Sequence, residues 1–130
     1  MADYTITTLA DVPDALGDYP GEMHMLTEAL GNEQVAITFR RMPQHTGGKG
    51  GYGHRHHACE EIYFVFSGRL QFKLEDEVIE AGRGTAIRVA PEVVRSVWND
   101  EPEDAELVIV SIRLEDAAAD TQLTPDFWPA

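Results

Sequence analysis

Apolar and polar positions alternate along much of this sequence with a period of two. Val35, Ile37 and Phe39 alternate with Ala36, Thr38 and Arg40, which predicts a strand with one buried face, ended by Pro43. Leu70, Phe72 and Leu74 alternate with Arg69, Gln71 and Lys73, Glu75-Asp76 predicts a hairpin tip, and Val78-Ile79 forms the return. Ile87 and Val89 alternate with Ala86 and Arg88 up to Pro91. Val93–Trp98 and Leu107–Leu114 are further strands on either side of the acidic loop Asn99–Glu106. Ile62–Phe66 is an unbroken apolar run, which predicts a strand buried on both faces. Ser67-Gly68 and the pair Gly82 and Gly84 mark turns.

The flanks are less regular. Residues 1–20 read as an N-terminal arm with one short strand near Tyr4–Thr8. Met23–Leu30 suits a strand or a short helix, and Gly31-Asn32 stops either. The glycine-rich stretch Gln44–Gly53 is a mobile or tightly turned loop. The tail, residues 115–130, opens on an alanine run and ends in Phe127-Trp128-Pro129, aromatics expected to pack onto the barrel or onto a second subunit. Short strands spaced about ten residues apart, with no strand–helix alternation, make an all-β sandwich or barrel.

Composition narrows the function classes. The 130 residues suit a single domain, 1–130, and 43% hydrophobic content supplies a core without disulfides. Cys59 is the only cysteine, which points to a reducing, cytoplasmic setting. The sequence shows no leader pattern and no apolar run of membrane length. With 23 acidic and 10 basic residues the net charge is −13, so nucleic acid and anionic membranes are not expected partners. Arg40 and Arg41 are an isolated basic pair.

The densest chemistry lies in residues 48–68. Three of the five histidines, His54, His56 and His57, fall within four residues, followed by Cys59, Glu60 and Glu61. His54 and His56 are two apart, so on a strand they share a face. Two imidazoles and a carboxylate can form a facial triad that leaves metal positions open for a ligand.

The spacing runs Gly48, five residues, His54-Arg55-His56, four residues, Glu61, six residues, Gly68. It matches the first motif of the cupins, G-x5-H-x-H-x(3,4)-E-x6-G. Residues 84–99 resemble the second, G-x5-P-x-G-x2-H-x3-N, with Gly84 and Asn99 in register. Ala90, followed by Pro91, stands at the proline position, Glu92 at the glycine and Arg95 at the histidine. The resemblance implies a double-stranded β-helix, a jelly-roll-like cupin barrel, with both motifs within residues 48–99. It also implies a pocket lined by His54, His56 and Glu61, and isomerase, dioxygenase or decarboxylase chemistry if a divalent metal (iron, manganese, zinc or nickel) is bound.

Arg95 replaces the fourth metal ligand, and a guanidinium has no lone pair to offer. Two outcomes remain open. His54, His56 and Glu61 hold the metal with Arg95 aside, or Arg95 turns inward and pairs with Glu61, in a bidentate fork, leaving metal weak or absent. Glu61 and Arg95 are the catalytic candidates, with Arg95 and Tyr63 also candidates for binding a small, anionic ligand. His57 becomes a substitute ligand if the chain bulges after His56. Cys59 is a soft ligand or a packed thiol, Glu60 faces solvent, and His45 lies near the pocket mouth. His24 belongs to no constellation. A homodimer is expected from the resemblance, and a non-catalytic structural or regulatory barrel is the competing class.

Overall fold

The computed structural model describes residues 2–130. In chain order the strands are β1 (Glu22–Met25), β2 (Val35–Met42), β3 (Thr46–Gly47), β4 (Gly53–His56), β5 (Glu61–Ser67), β6 (Arg69–Leu74), β7 (Glu77–Gly82), β8 (Ala86–Val89), β9 (Arg95–Asn99), β10 (Ala105–Ile112) and β11 (Thr121–Thr124). One sheet has the order β1-β2-β10-β5-β8, the other β11-β4-β9-β6-β7, with β3 added beside β9. Every pairing is antiparallel. This is the jelly-roll-like, double-stranded β-helix that the motifs imply.

Two motif residues have structural duties. Gly68 turns β5 into β6 at φ 74°, and a Cβ there would collide with the backbone of Asp104 and Ala105. Asn99 is fully buried, donates to the carbonyls of Met42 and Glu103, and accepts from the Glu101 N–H. It thereby holds the acidic loop closed.

The core between the sheets contains Met42, Val65, Leu70, Phe72, Ala81, Val89, Ala105 and Leu107. Strand parity corrects the simple expectation that apolar faces point inward. On β2 it is Thr38 and Arg40 that line the interior cavity, while Val35 is half exposed. On β5, Glu61 and Tyr63 face the cavity, and Ile62 and Phe64 are 44% and 38% exposed, so this strand is not buried on both faces. Val108 pairs with Phe39 and Phe64, and Val110 with Ile37 and Ile62, so an apolar band runs across the outside of the first sheet. The inward positions at this end bring the cavity its charged and hydroxyl groups, set among apolar walls, while the outer face is apolar.

The flanks also differ from expectation. Tyr4–Thr8 form no strand, and Tyr4 and Ile6 are exposed. The arm instead makes a 3₁₀ turn at Leu9–Asp11 and brings Leu16 and Tyr19 to the cavity. Met23–Leu30 holds both candidate elements, the end of β1 and then the helix α1 (Leu26–Leu30), which Gly31 ends in the left-handed conformation. The alanine run becomes the short helix α2 (Ala117–Asp120), followed by β11, a strand the sequence did not announce. Trp128 is buried and its backbone bonds to Gly50 and Gly51, so the tail packs on the glycine loop. Among the described residues, no helix is long and apolar enough to cross a membrane.

His24 fastens the arm to β1. Its Nδ1 lies 2.9 Å from the Val12 carbonyl and its Nε2 3.1 Å from the Glu22 carboxylate. Both neighbours only accept, so the ring satisfies both as an imidazolium. The bond to Glu22 raises the His24 pKa, and the charge of Asp14 adds to it, while Arg41 contacts Glu22 from the other side. A pKa raised by folding gives stability that is present below about pH 6.5, the unfolded value, and lost as pH rises through the folded value. The melting temperature is therefore expected to fall above neutral pH by more in the wild type than in His24→Asn. Equal pH profiles for the two proteins refute it.

Candidate metal centre and ligand cavity

Strand β4 carries the histidines. It begins at Gly53, where any Cβ would strike the Phe127 ring and the Arg95 carbonyl, so the tail and β9 can close tightly around it. Its neighbours are β11, with Thr121 opposite His56, and β9, with Arg95 opposite His54. Extended geometry turns His54 and His56 to the same side, and Glu61 arrives from the first position of β5. The three donor groups lie within 4.8 Å of one another.

Glu61 Oε1 is the hub. It accepts from the Tyr63 hydroxyl at 2.8 Å and lies 3.4 Å from His56 Nε2, 3.7 Å from His54 Nε2 and 3.3 Å from the outer nitrogen of Arg95. Burial alone would raise the Glu61 pKa. The His54 and Tyr63 contacts and the charges of Arg95 and His56 outweigh that and hold it below 4.5. Burial lowers the His56 pKa, with Arg95 and His54 adding to the effect, and so keeps the ring neutral at neutral pH. Burial beside Glu61 raises the Tyr63 pKa far above its ordinary value, so Tyr63 is a hydrogen-bond donor throughout the physiological range.

His56 is oriented from behind. Its Nδ1 lies 3.5 Å from Asp120 Oδ2 and 3.4 Å from Thr121 Oγ1. Asp120 is itself fixed by the backbone N–H groups of Ala58 and Cys59. The Thr121 hydroxyl gives its own proton to the Ala117 carbonyl and so accepts from Nδ1, and the nearby Asp120 charge favours a proton there, which leaves the Nε2 lone pair facing Glu61. That Nε2 is buried without a hydrogen-bond partner. Two lone-pair donors facing each other suit a cation between them, so the three donors fit a divalent ion.

Arg95 occupies the fourth position. Its side chain is 1% exposed, and one outer nitrogen donates to the carbonyls of Pro91 and Val93 at 3.1 and 2.7 Å. The other approaches Glu61, so the ion pair uses one nitrogen and is not a bidentate fork. Arg95 and Tyr63 both line the cavity, which measures about 610 Å³ and suits a small organic ligand.

The remaining sequence candidates lie elsewhere. His57 is exposed and outside the cluster. Cys59 is buried with Sγ near the carbonyls of Glu60 and Ile112, while Glu60 is exposed and paired with Arg88. His45 stacks on Trp98. Sequence reasoning missed Asp120, Thr121 and Leu123, which come from the tail, and Arg40 and Ser111, which sit at inward positions of β2 and β10. For Arg40 the signal was present, since it lies two residues from Thr38 and Met42 on one face of its strand.

No curated protein matches this sequence. Among solved structures, the chain is similar to a cupin protein from Bacteroides fragilis, at 20% identity and a TM-score of 0.69, covering 88% of each chain. It is similar to a sugar phosphate isomerase of the cupin superfamily from Silicibacter pomeroyi, at 16% identity and a TM-score of 0.69, covering 96% of each chain. It is also similar to a predicted oxalate decarboxylase from Thermotoga maritima, at 20% identity and a TM-score of 0.66, covering 85% of this chain and 100% of that one. At these identities the likeness is one of fold. The sequence model of the Cupin domain, however, matches residues 41–111, more than half of the chain, and the protein belongs to the cupin domain family.

Proposed function

We propose that the protein binds a small molecule in the barrel cavity, with Arg95, paired to Glu61, standing where a fourth metal ligand would be, so that a divalent metal is held weakly or not at all. The observation that carries this reading is the position of Arg95: opposite His54 in register, almost fully buried, 3.3 Å from Glu61. A cation there opposes a second cation a few ångströms away and occupies the carboxylate oxygen that a metal needs. Elemental analysis of protein purified without chelator tests it. Well under one ion per chain is expected, and near-stoichiometric iron, manganese, zinc or nickel overturns it.

One observation favours a second reading, a metal-dependent enzyme using His54, His56 and Glu61. Thr121 and Asp120 face His56 Nδ1, and Nε2 is buried and unpartnered, an arrangement that suits a metal-ligating histidine. A metal held by these residues would supply Lewis acidity to a ligand oxygen. Tyr63 would keep Glu61 oriented and deprotonated, and Glu61 would be the group placed to move a proton. The similar structures described as a sugar phosphate isomerase and a predicted oxalate decarboxylase carry anionic compounds in their names, in keeping with a small anionic ligand here. A second copy of the chain is the proposed cover for the apolar outer band at Ile62, Phe64, Val108 and Val110.

A further inference from the structure

Arg40 and Arg41 are adjacent on β2 and face opposite ways. Arg41 points outward and takes two carboxylates, Glu22 at 2.7 Å and Asp104 at 2.8 Å. Arg40 points into the cavity and, among the described residues, makes no ion pair. Its Nε is buried without a hydrogen-bond partner. Burial pulls its pKa below the usual guanidinium value, and the groups acting against that are tyrosines, not acids. A protein with 23 acidic residues has placed none of the described ones in an ion pair with Arg40.

Burying an unpaired guanidinium costs free energy, which a ligand of opposite charge recovers on binding. Arg95 also has a buried Nε and one outer nitrogen without hydrogen-bond partners, but its charge is already paired with Glu61 at 3.3 Å and its other outer nitrogen is held by the Pro91 and Val93 carbonyls, so Arg40 is the arginine whose charge is left uncompensated. Two guanidiniums against the single carboxylate of Glu61 leave the lining of the cavity positive inside a strongly acidic protein. Tyr19, on the arm, accepts from the Gly47 N–H through its hydroxyl oxygen, so its own proton remains free to donate. Tyr52 stands on the glycine loop and lines the same cavity.

We propose that Arg40 is the recognition point for an oxyanion of the cavity ligand, a carboxylate or a phosphate, with the Tyr19 hydroxyl as a second donor. The ligand is then a small molecule anchored by this anion, with its remaining groups in the same cavity as His54, His56 and Glu61. This inference rests on the reading of the cavity as a small-molecule site, and it names the class of molecule.

The test is binding of inorganic phosphate and, separately, malonate to chelator-treated protein, by calorimetry and by melting temperature against sodium chloride of equal ionic strength. Saturable binding of at least one anion is expected, and which of the two binds more tightly separates phosphate from carboxylate. Arg40→Gln should weaken that binding by about tenfold or more, and Arg40→Lys by less. Without anion, Arg40→Gln should melt no lower than wild type, because it removes an uncompensated charge. The inference falls if neither anion binds wild type below about 10 mM, or if Arg40→Gln binds as wild type does. It falls equally if Arg40→Gln melts lower or fails to fold, which makes Arg40 structural. Loss of anion binding in Arg95→Met with retention in Arg40→Gln moves the anion to Arg95, overturning this inference and leaving the small-molecule site intact.

Discussion

Arg95→His is expected to raise the affinity for zinc or nickel by about a hundredfold or more over wild type. Position 95 lies opposite His54 on the neighbouring strand, and its side chain already reaches Glu61. An imidazole there adds a neutral nitrogen donor to the three that converge, and it removes a fixed positive charge from beside the carboxylate. The contacts of Thr121 and Asp120 with His56 Nδ1 are untouched by the change, so the rest of the site is ready. Metal titration followed by calorimetry checks it, with His54→Ala in the same background as the control for the site. If Arg95→His binds no more tightly than wild type, the guanidinium is not what limits metal binding.

The second large effect concerns stability. Glu61→Gln is expected to cost about 3–5 kcal/mol, since it strips the carboxylate from an arginine that is 1% exposed. For a chain of this size that lowers the melting temperature by roughly 10 °C or more. The double change Glu61→Met with Arg95→Met should recover most of the loss, because removing both charges removes the desolvation penalty as well. The pH dependence has a definite sign. The Glu61 pKa is depressed by folding, so its contribution is present above about pH 4.5 and disappears as pH falls through the lower folded value. The gap between wild type and Glu61→Gln should therefore close on acidification. A Glu61→Gln protein that melts with wild type at neutral pH would show that the pair contributes nothing to the fold.

The sequence made some of this legible and concealed the rest for physical reasons. Spacing alone placed His54 and His56 on one face, because strand parity is a local property, and the resemblance to the first cupin motif added Glu61. The motif register likewise brought Arg95 to the site. Periodicity in β2 and β5 announced two unlike faces but not which one faced the axis. Thr38 and Arg40 point into a ligand cavity, whereas Ile37, Ile62 and Phe64 lie on the outside, so on these strands the usual assignment is reversed. Thr121–Thr124 has no apolar run, and although Pro125-Asp126 marks a turn after it, its pairing with β4 is a non-local contact that no window of sequence contains. Asp120 entered the site with it. Arg40 was read with Arg41 as one basic pair, and only the pleat separates them.

That separation bears on how β2 can change over generations. Consecutive residues of the strand answer to different demands. Substitution at Thr38 or Arg40 alters what the cavity accepts, while substitution at Ile37 or Arg41 alters the outer face and its ion pairs. Drift along this strand is therefore constrained with a period of two, and a lineage could exchange its ligand through the even-numbered positions while leaving its outer surface unaltered.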